Sequence, residues 1–182
     1  TGTTTGSSSN GINAYNSAAG TSLKITAEDT TGTQGIYARN NGTGALSITT
    51  SGTTTGTTYA GIYANNSAAG TSLKITAEDT TGTLGIYARN RGDGALEIKT
   101  TGTTTGTSSN GILAYMSNTA STGDLTINAA TTTGGVYGIQ GYNKGTGALS
   151  ITTSGAITGG TGYGIRTITA ANKTTTITLN SG

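Results

Sequence analysis

An internal repeat constrains this chain more than any other feature of its sequence. Residues 16–33 recur without a change at residues 66–83. The two segments are offset by 50 residues, and a Gly-Ile pair recurs at about half of that offset. The glycines of these pairs are Gly11, Gly35, Gly61, Gly85, Gly111, Gly138 and Gly164. A period of about 25 residues is typical of solenoids, in which a unit buries its apolar face only by stacking on its neighbours.

Each unit contains three short segments that have the pattern of β-strands. One follows the Gly-Ile pair, and a threonine-rich one is seen at residues 53–55, 103–105 and 131–133. The remaining one alternates apolar residues at Leu23/Ile25, Leu46/Ile48, Leu73/Ile75, Leu96/Ile98, Leu125/Ile127, Leu149/Ile151 and Ile177/Leu179. Alternation with Gly and Asn boundaries indicates strands and turns. We predict an all-β chain, a right-handed parallel β-helix of about seven coils of 24–27 residues with three strands each.

Composition agrees with a solenoid and argues against catalysis. Only 31% of the residues are hydrophobic, which is too few for one rounded core, and the chain has no His and no Cys. The usual catalytic bases, nucleophiles and transition-metal ligands are therefore missing. The acidic pairs Glu28/Asp29 and Glu78/Asp79 lie two coils apart, about 10 Å, and we expect them in solvated turns. We predict no enzyme activity, no cofactor and no metal.

Charge and hydropathy bear on partners and export. The nine basic residues give a net charge of +2 and are scattered along the sequence, so we expect no nucleic-acid partner. No apolar run is long enough to span a membrane, and the amino end lacks a signal peptide. Because the sequence does not start with Met, we expect an excised or mature fragment, with residues 1–182 forming one β-helical segment.

The strand after the Gly-Ile pair sorts its residues into columns along the stack. The isoleucines and the alanines two positions later are expected to point inward. Between them, Asn13, Tyr37, Tyr63, Tyr87, Leu113, Gln140 and Arg166 are expected to face solvent. The next outward column is Tyr15, Arg39, Asn65, Arg89, Tyr115 and Tyr142. Tyr and Arg are favoured at protein interfaces, so Tyr37, Tyr63, Tyr87, Arg39 and Arg89 are candidate partner-binding residues, although stacked tyrosines also stabilise a sheet.

Two turn features complete the set of candidates. The column Asn16, Asn40, Asn66, Asn90 and Asn143, interrupted by Met116, predicts a structural ladder of amides that also tolerates left-handed φ. Arg91-Gly92-Asp93 is an integrin-recognition tripeptide, expected at an exposed turn tip. Other coils have Asn41-Gly42-Thr43 and Lys144-Gly145-Thr146 at this turn, so chance also explains the motif.

Units such as GIYARNNGTGALSITTSG (35–52) and GIYARNRGDGALEIKTTG (85–102) resemble the passenger repeats of bacterial autotransporters, especially the inducible autotransporters of Bartonella-type bacteria. The resemblance covers the whole chain. It implies export through an outer-membrane barrel in the parent chain and a location at the bacterial surface or in the medium. It further implies binding to a host cell-surface protein or matrix, as an adhesin or a released effector.

Other functions stay open at this point. The first is a structural spacer or filament segment that associates end to end through its open sheet edges. A glycan-active β-helical enzyme and an ice-binding threonine array are weaker alternatives. We expect charge to interrupt the threonine column, because we align residues 53–55 with Glu28-Asp29-Thr30.

Overall fold

The computed structural model describes residues 2–180 and shows a β-solenoid of seven stacked turns. Every regular element in this range is a strand, and no helix suited to crossing a membrane occurs in it. The chain passes from a strand of sheet 1 to one of sheet 2 and one of sheet 3, and then starts the next coil. Each strand pairs in parallel with its counterpart one coil away, which confirms the predicted architecture.

The three sheets have seven strands each. Sheet 1 contains β1 (Thr3–Thr5), β4 (Asp29–Gly32), β7 (Thr54–Gly56), β10 (Thr80–Gly82), β13 (Thr104–Gly106), β16 (Thr132–Gly134) and β19 (Ile157–Gly159). Sheet 2 contains β2 (Ile12–Asn16), β5 (Ile36–Asn40), β8 (Ala60–Asn66), β11 (Leu84–Asn90), β14 (Ile112–Met116), β17 (Ile139–Asn143) and β20 (Ile165–Thr169). Sheet 3 contains β3 (Leu23–Ala27), β6 (Leu46–Thr50), β9 (Leu73–Ala77), β12 (Leu96–Thr100), β15 (Leu125–Ala129), β18 (Leu149–Thr153) and β21 (Thr175–Leu179).

Columns of like residues build the core between the sheets. In sheet 2, Ile86 pairs with Ile62 and Ile112, and all three are fully buried. Sheet 3 adds stacks of Leu and Ile on the facing side. The last coil departs from the predicted alignment, because Ile177 pairs with Ile151 while Leu179 pairs with Thr153. Burial of these apolar columns supplies the main driving force for folding.

Glycine recurs in the Gly-Ile pairs for a steric reason. A Cβ atom on Gly61 would approach the carbonyl oxygen of Gly85 to 2.9 Å, and one on Gly35 would approach that of Gly61 to 2.6 Å. No described glycine has a positive φ. The coils therefore need glycine at this corner for close approach of the backbone, and not for left-handed geometry.

The predicted asparagine ladder is confirmed for four coils. Asn16 donates its side-chain amide to Asn40 Oδ1 at 2.7 Å, Asn40 donates to Asn66 at 2.8 Å, and Asn66 donates to Asn90 at 3.0 Å. Buried Met116 ends the ladder, and Asn143 instead donates to the carbonyl of Gly147 in its own turn. The ladder asparagines do not use left-handed φ, since Asn172 is the non-glycine residue with positive φ within residues 2–180.

Candidate partner-binding surface

Three tyrosines form a continuous stack on the outer face of sheet 2. The ring centroids of Tyr37 and Tyr63 are 5.0 Å apart and those of Tyr63 and Tyr87 are 4.9 Å apart, with interplanar angles of 13° and 16°. These distances match the strand spacing of about 4.8 Å, because the residues are in register on β5, β8 and β11. The predicted aromatic ladder is thus present, and its side chains are half-buried rather than fully exposed. We call Tyr37, Tyr63 and Tyr87 the tyrosine stack.

Burial within the stack changes the acidity of one phenol. The pKa of Tyr87 is raised above its usual value, first because burial disfavours the phenolate and second because Tyr63 lies beside it. Arg89 opposes this shift. The Tyr87 hydroxyl therefore remains protonated at neutral pH and is available as a hydrogen-bond donor or acceptor.

Arginine side chains flank the tyrosines in the next outward column. Arg39 is exposed, and its Nε donates to Asn41 Oδ1 at 3.1 Å. Arg89 is half-buried, and its Nε donates to Ser117 Oγ at 3.4 Å. The two arginines are two coils apart, with Asn65 between them in the column. Both predicted arginines therefore share the outer face of sheet 2 with the tyrosine stack.

Sequence reasoning missed a group of cations around Tyr115. The Arg89 Cζ and the Lys144 Nζ each lie 5.3 Å from the centroid of the Tyr115 ring. Arg91 lines the same depression, which has a volume of about 450 Å³. We call Arg89, Arg91 and Lys144 the basic cluster. The available signal was that Arg91 and Lys144 each directly follow the Asn that ends a strand of sheet 2, although their contacts depend on the turns.

Gln140 was predicted to face solvent with the rest of its column, and this prediction was wrong. It is buried rather than exposed. Its Oε1 accepts a hydrogen bond from the Asn110 side chain at 2.8 Å, and its Nε2 donates to the Tyr142 hydroxyl at 2.8 Å. The turn that carries Asn110 thus covers this part of the face. Beyond it, the Arg166 guanidinium lies 5.4 Å from the ring centroid of Tyr137.

The Arg91-Gly92-Asp93 turn is exposed but closely packed. Arg91 and Asp93 are exposed while Gly92 is buried, and Gly92 donates its N–H to Asn90 Oδ1 at 3.2 Å. The Asp93 carbonyl accepts from Ser121 Oγ at 2.7 Å. This turn, residues 91–95, is shorter than the turns stacked on either side, residues 67–72 and 117–124. The two charged side chains are therefore presented between longer neighbouring turns.

The pairs Glu28/Asp29 and Glu78/Asp79 lie away from this surface, between sheets 3 and 1. Three aspartates hold the backbone of the next coil. Asp29 Oδ1 accepts the N–H of Thr53 at 2.9 Å, and Asp79 Oδ1 accepts that of Thr103 at 2.7 Å. Asp124 Oδ1 accepts the N–H of Ala148 at 2.8 Å. Glu28 accepts a hydrogen bond from the N–H of Gly2. Residues 2–180 contain no group of three or more acidic side chains able to hold a metal ion.

An exposed ion pair lies on the outer face of sheet 3. Lys74 Nζ lies 3.0 Å from Glu97 Oε2, and the two side chains are 54% and 38% exposed. Such exposed pairs contribute well under about 1 kcal/mol. The pair therefore neutralises the charge of Lys74 but adds little to the stability of the fold.

The prediction that charge interrupts the threonine column of sheet 1 was wrong. The alignment behind it was shifted by one residue from the register that the structure shows. Thr31 pairs with Thr55, which pairs with Thr81, and the outward column is threonine in every coil. We call it the threonine ladder, and it consists of Thr5, Thr31, Thr55, Thr81, Thr105, Thr133 and Thr158. Asp29 aligns instead with Thr3 in the neighbouring column. The ladder hydroxyls make no hydrogen bond to another residue within 2–180.

Comparison of the chain with known protein families, with curated proteins and with solved structures finds no match.

Proposed function

We propose that this chain is a non-enzymatic β-solenoid rod that binds a host cell-surface protein or matrix through the outer face of sheet 2. The observation that carries the proposal is the tyrosine stack, which continues along the same sheet toward Arg89 and Tyr115. The strands of sheet 2 contain Tyr and Arg but no Asp or Glu. Aromatic and Arg side chains dominate the binding energy of many interfaces.

The geometry of the stack suits binding because its order already exists before a partner arrives. Each ring lies 4.9–5.0 Å from a neighbouring ring, and Tyr63 is held between two, so little side-chain entropy remains to be lost on association. The hydroxyls add polar groups at the edge of an apolar surface. A partner therefore meets a rigid strip of aromatic surface bordered by Arg39 and Arg89.

The proposed location follows from the resemblance of the repeats to autotransporter passengers. On this account the rod acts outside the cell, either attached to the bacterial surface through the barrel of the parent chain or after release. The Arg91-Gly92-Asp93 turn supplies an integrin-like contact beside the main surface. Arg91 and Asp93 are both exposed, which this contact requires.

Binding of the purified chain to cultured mammalian cells tests the proposal. A variant with Tyr37→Ser, Tyr63→Ser and Tyr87→Ser is expected to lose saturable binding. The matched control alters Thr49, Thr76 and Lys99 to Ala on sheet 3 of the same three coils and is expected to bind normally. Circular dichroism must show β structure in both. Equal binding by the two variants would reject the sheet 2 surface as the site.

A separate variant, Asp93→Ala, measures the contribution of the tripeptide turn. A loss of cell binding that a soluble Arg-Gly-Asp peptide reproduces in the unaltered chain assigns an integrin-like receptor. Unchanged binding in both experiments removes the turn from the proposed site and leaves the tyrosine stack.

A second candidate function rests on the threonine ladder. Seven outward hydroxyls repeat at the strand spacing of about 4.8 Å, and a regular array of this kind can order water as an ice-binding surface does. Asp29 and Asp79 interrupt the adjoining column, which narrows the array to one continuous row. Thermal hysteresis in the unaltered chain that Thr81→Lys abolishes would establish this function, and its absence would reject it.

A further inference from the structure

The basic residues of the chain are segregated in the fold, although they are scattered in the sequence. Six of the nine lie on sheet 2 or in the turns that directly follow its strands, namely Arg39, Arg89, Arg91, Lys144, Arg166 and Lys173. The pairs Glu28/Asp29 and Glu78/Asp79 lie at the opposite corner, between sheets 3 and 1. Asp93 and Asp124 are the acidic residues in the turns after sheet 2, so this side of the rod keeps an excess of positive charge.

The basic cluster is the densest part of this side. Arg89 and Lys144 approach the Tyr115 ring from the coils on either side of it, each at 5.3 Å from its centroid. Cation–π contacts of this kind restrain both side chains. The hydrogen bond from Arg89 Nε to Ser117 Oγ restrains the guanidinium further. Arg91 completes the rim of the depression.

None of these three cations forms an ion pair with a carboxylate in the part of the chain that the structure describes. Asp93 lies in the same turn as Arg91 without pairing with it. Like charges placed together without a counterion are unfavourable unless an anion or solvent screens them. The cluster is therefore built to receive negative charge from outside the chain.

We propose that the basic cluster binds the sulfate and carboxylate groups of an acidic polysaccharide. Guanidinium groups match the geometry of such anions with paired N–H donors. The depression is open and shallow, which suits a flexible charged polymer. The Tyr115 ring is engaged by two cations, and this disfavours the base stacking on which single-stranded nucleic acid relies. The proposal rests on the function proposed above and names the chemistry of its partner.

Titration of the purified 182-residue chain with a heparin oligosaccharide tests this assignment. Changing Arg89, Arg91 and Lys144 to Gln is expected to weaken binding about tenfold or more. The control changes Lys24, Lys74 and Lys99 to Gln, which removes the same formal charge from the strands of sheet 3, and is expected to bind within about twofold of the unaltered chain. Equal losses in the two variants, or no binding by the unaltered chain, would overturn the site.

Competitors decide the class of anion. A carboxylated polysaccharide such as hyaluronan is expected to compete with heparin, with an affinity that falls as salt rises. Single-stranded DNA of equal charge is expected to compete poorly, and equal competition would overturn the assignment to a glycan.

Cells stripped of sulfated glycans separate this inference from the proposed function. Binding that falls on stripped cells and in the basic-cluster variant supports both. Binding that persists on stripped cells, but is lost in the tyrosine-stack variant, overturns the glycan assignment while the binding rod stands.

Discussion

The side-chain amide of Asn66 donates to Oδ1 of Asn90 across the gap between two coils, at 3.0 Å. Asn66 Oδ1 in turn accepts from Asn40, and Asn66 Nδ2 also donates to the carbonyl of Ser72. One buried side chain thus joins three coils and closes the turn after sheet 2. Asn90 closes the turn of the next coil in the same way, by donating to the carbonyl of Gly94 at 2.8 Å. That turn presents Arg91, so the ladder helps to position this member of the basic cluster.

Replacing Asn66 is expected to destabilise the solenoid strongly. Asn66→Ala leaves buried polar groups of Asn40 and of the turn without partners, at a cost of about 1–3 kcal/mol for each unsatisfied group. Asn65→Ala, which alters the outward-facing neighbour, is expected to change stability by less than about 0.5 kcal/mol. Urea unfolding followed by circular dichroism compares them, and similar midpoints for the two variants would contradict the ladder's role.

Two glycines are expected to respond in opposite ways to a methyl group. A Cβ on Gly92 would collide with the carbonyl oxygen of Gly70, whereas one on Gly141 would meet the Leu149 side chain at 3.4 Å. Gly92→Ala should therefore cost about 1–3 kcal/mol. Gly141→Ala should stabilise by about 0.4–1 kcal/mol, because the unfolded chain loses freedom. Thermal melts measure both, and a lower melting temperature for Gly141→Ala would show the core there to be already full.

The inward threonines of sheet 1 should be replaceable by valine. The hydroxyls of Thr54, Thr80 and Thr104 are buried and have no hydrogen-bond partner. Thr80→Val removes such a group and is expected to stabilise by about 1 kcal/mol. Thr81→Val, on the outward ladder, is expected to be near neutral. A loss of stability in Thr80→Val, measured by urea unfolding, would mean that its hydroxyl is satisfied in solution.

Alkaline pH should weaken the fold through Tyr87. Its folded pKa is raised above the usual value of about 10 because the ring is buried. The folded state then holds its proton more tightly than the unfolded state, so the contribution to stability is complete below about pH 10 and is lost as pH rises through the folded pKa. Tyr87→Phe should show a smaller alkaline loss, as measured by unfolding at several pH values. An identical loss in both proteins would contradict this role.

The regular part of the fold was predictable because each coil repeats the same short pattern. Inward Ile and Ala columns, the tyrosine stack and the asparagine ladder all follow from aligning units at the Gly-Ile pair. Register at sheet 1 was missed, because runs of identical threonines offer no landmark for a one-residue shift. The last coil was misaligned for a similar reason, since Thr175 occupies the position that Leu149 has one coil earlier.

The candidate surface was only partly predictable. The stack and Arg89 lie within strands, where alternation gives the direction of a side chain. The contacts of Lys144 and Arg91 depend on turns, and the turn after β14 is longer than its neighbours. Burial of Gln140 likewise depends on a turn residue, Asn110. Strand periodicity does not specify such contacts.

Radical footprinting of the rings tests most directly whether the outer face of sheet 2 contacts the partner. The purified chain is oxidised briefly when free and when bound to cells, and modification of each tyrosine is measured by mass spectrometry. We predict that binding to cells protects the rings of the tyrosine stack, Tyr37, Tyr63 and Tyr87, from oxidation. Tyr163, which is 66% exposed in the last coil of the solenoid, is predicted to keep its reactivity. Unchanged modification of the tyrosine stack in cell-bound protein would contradict the proposed surface.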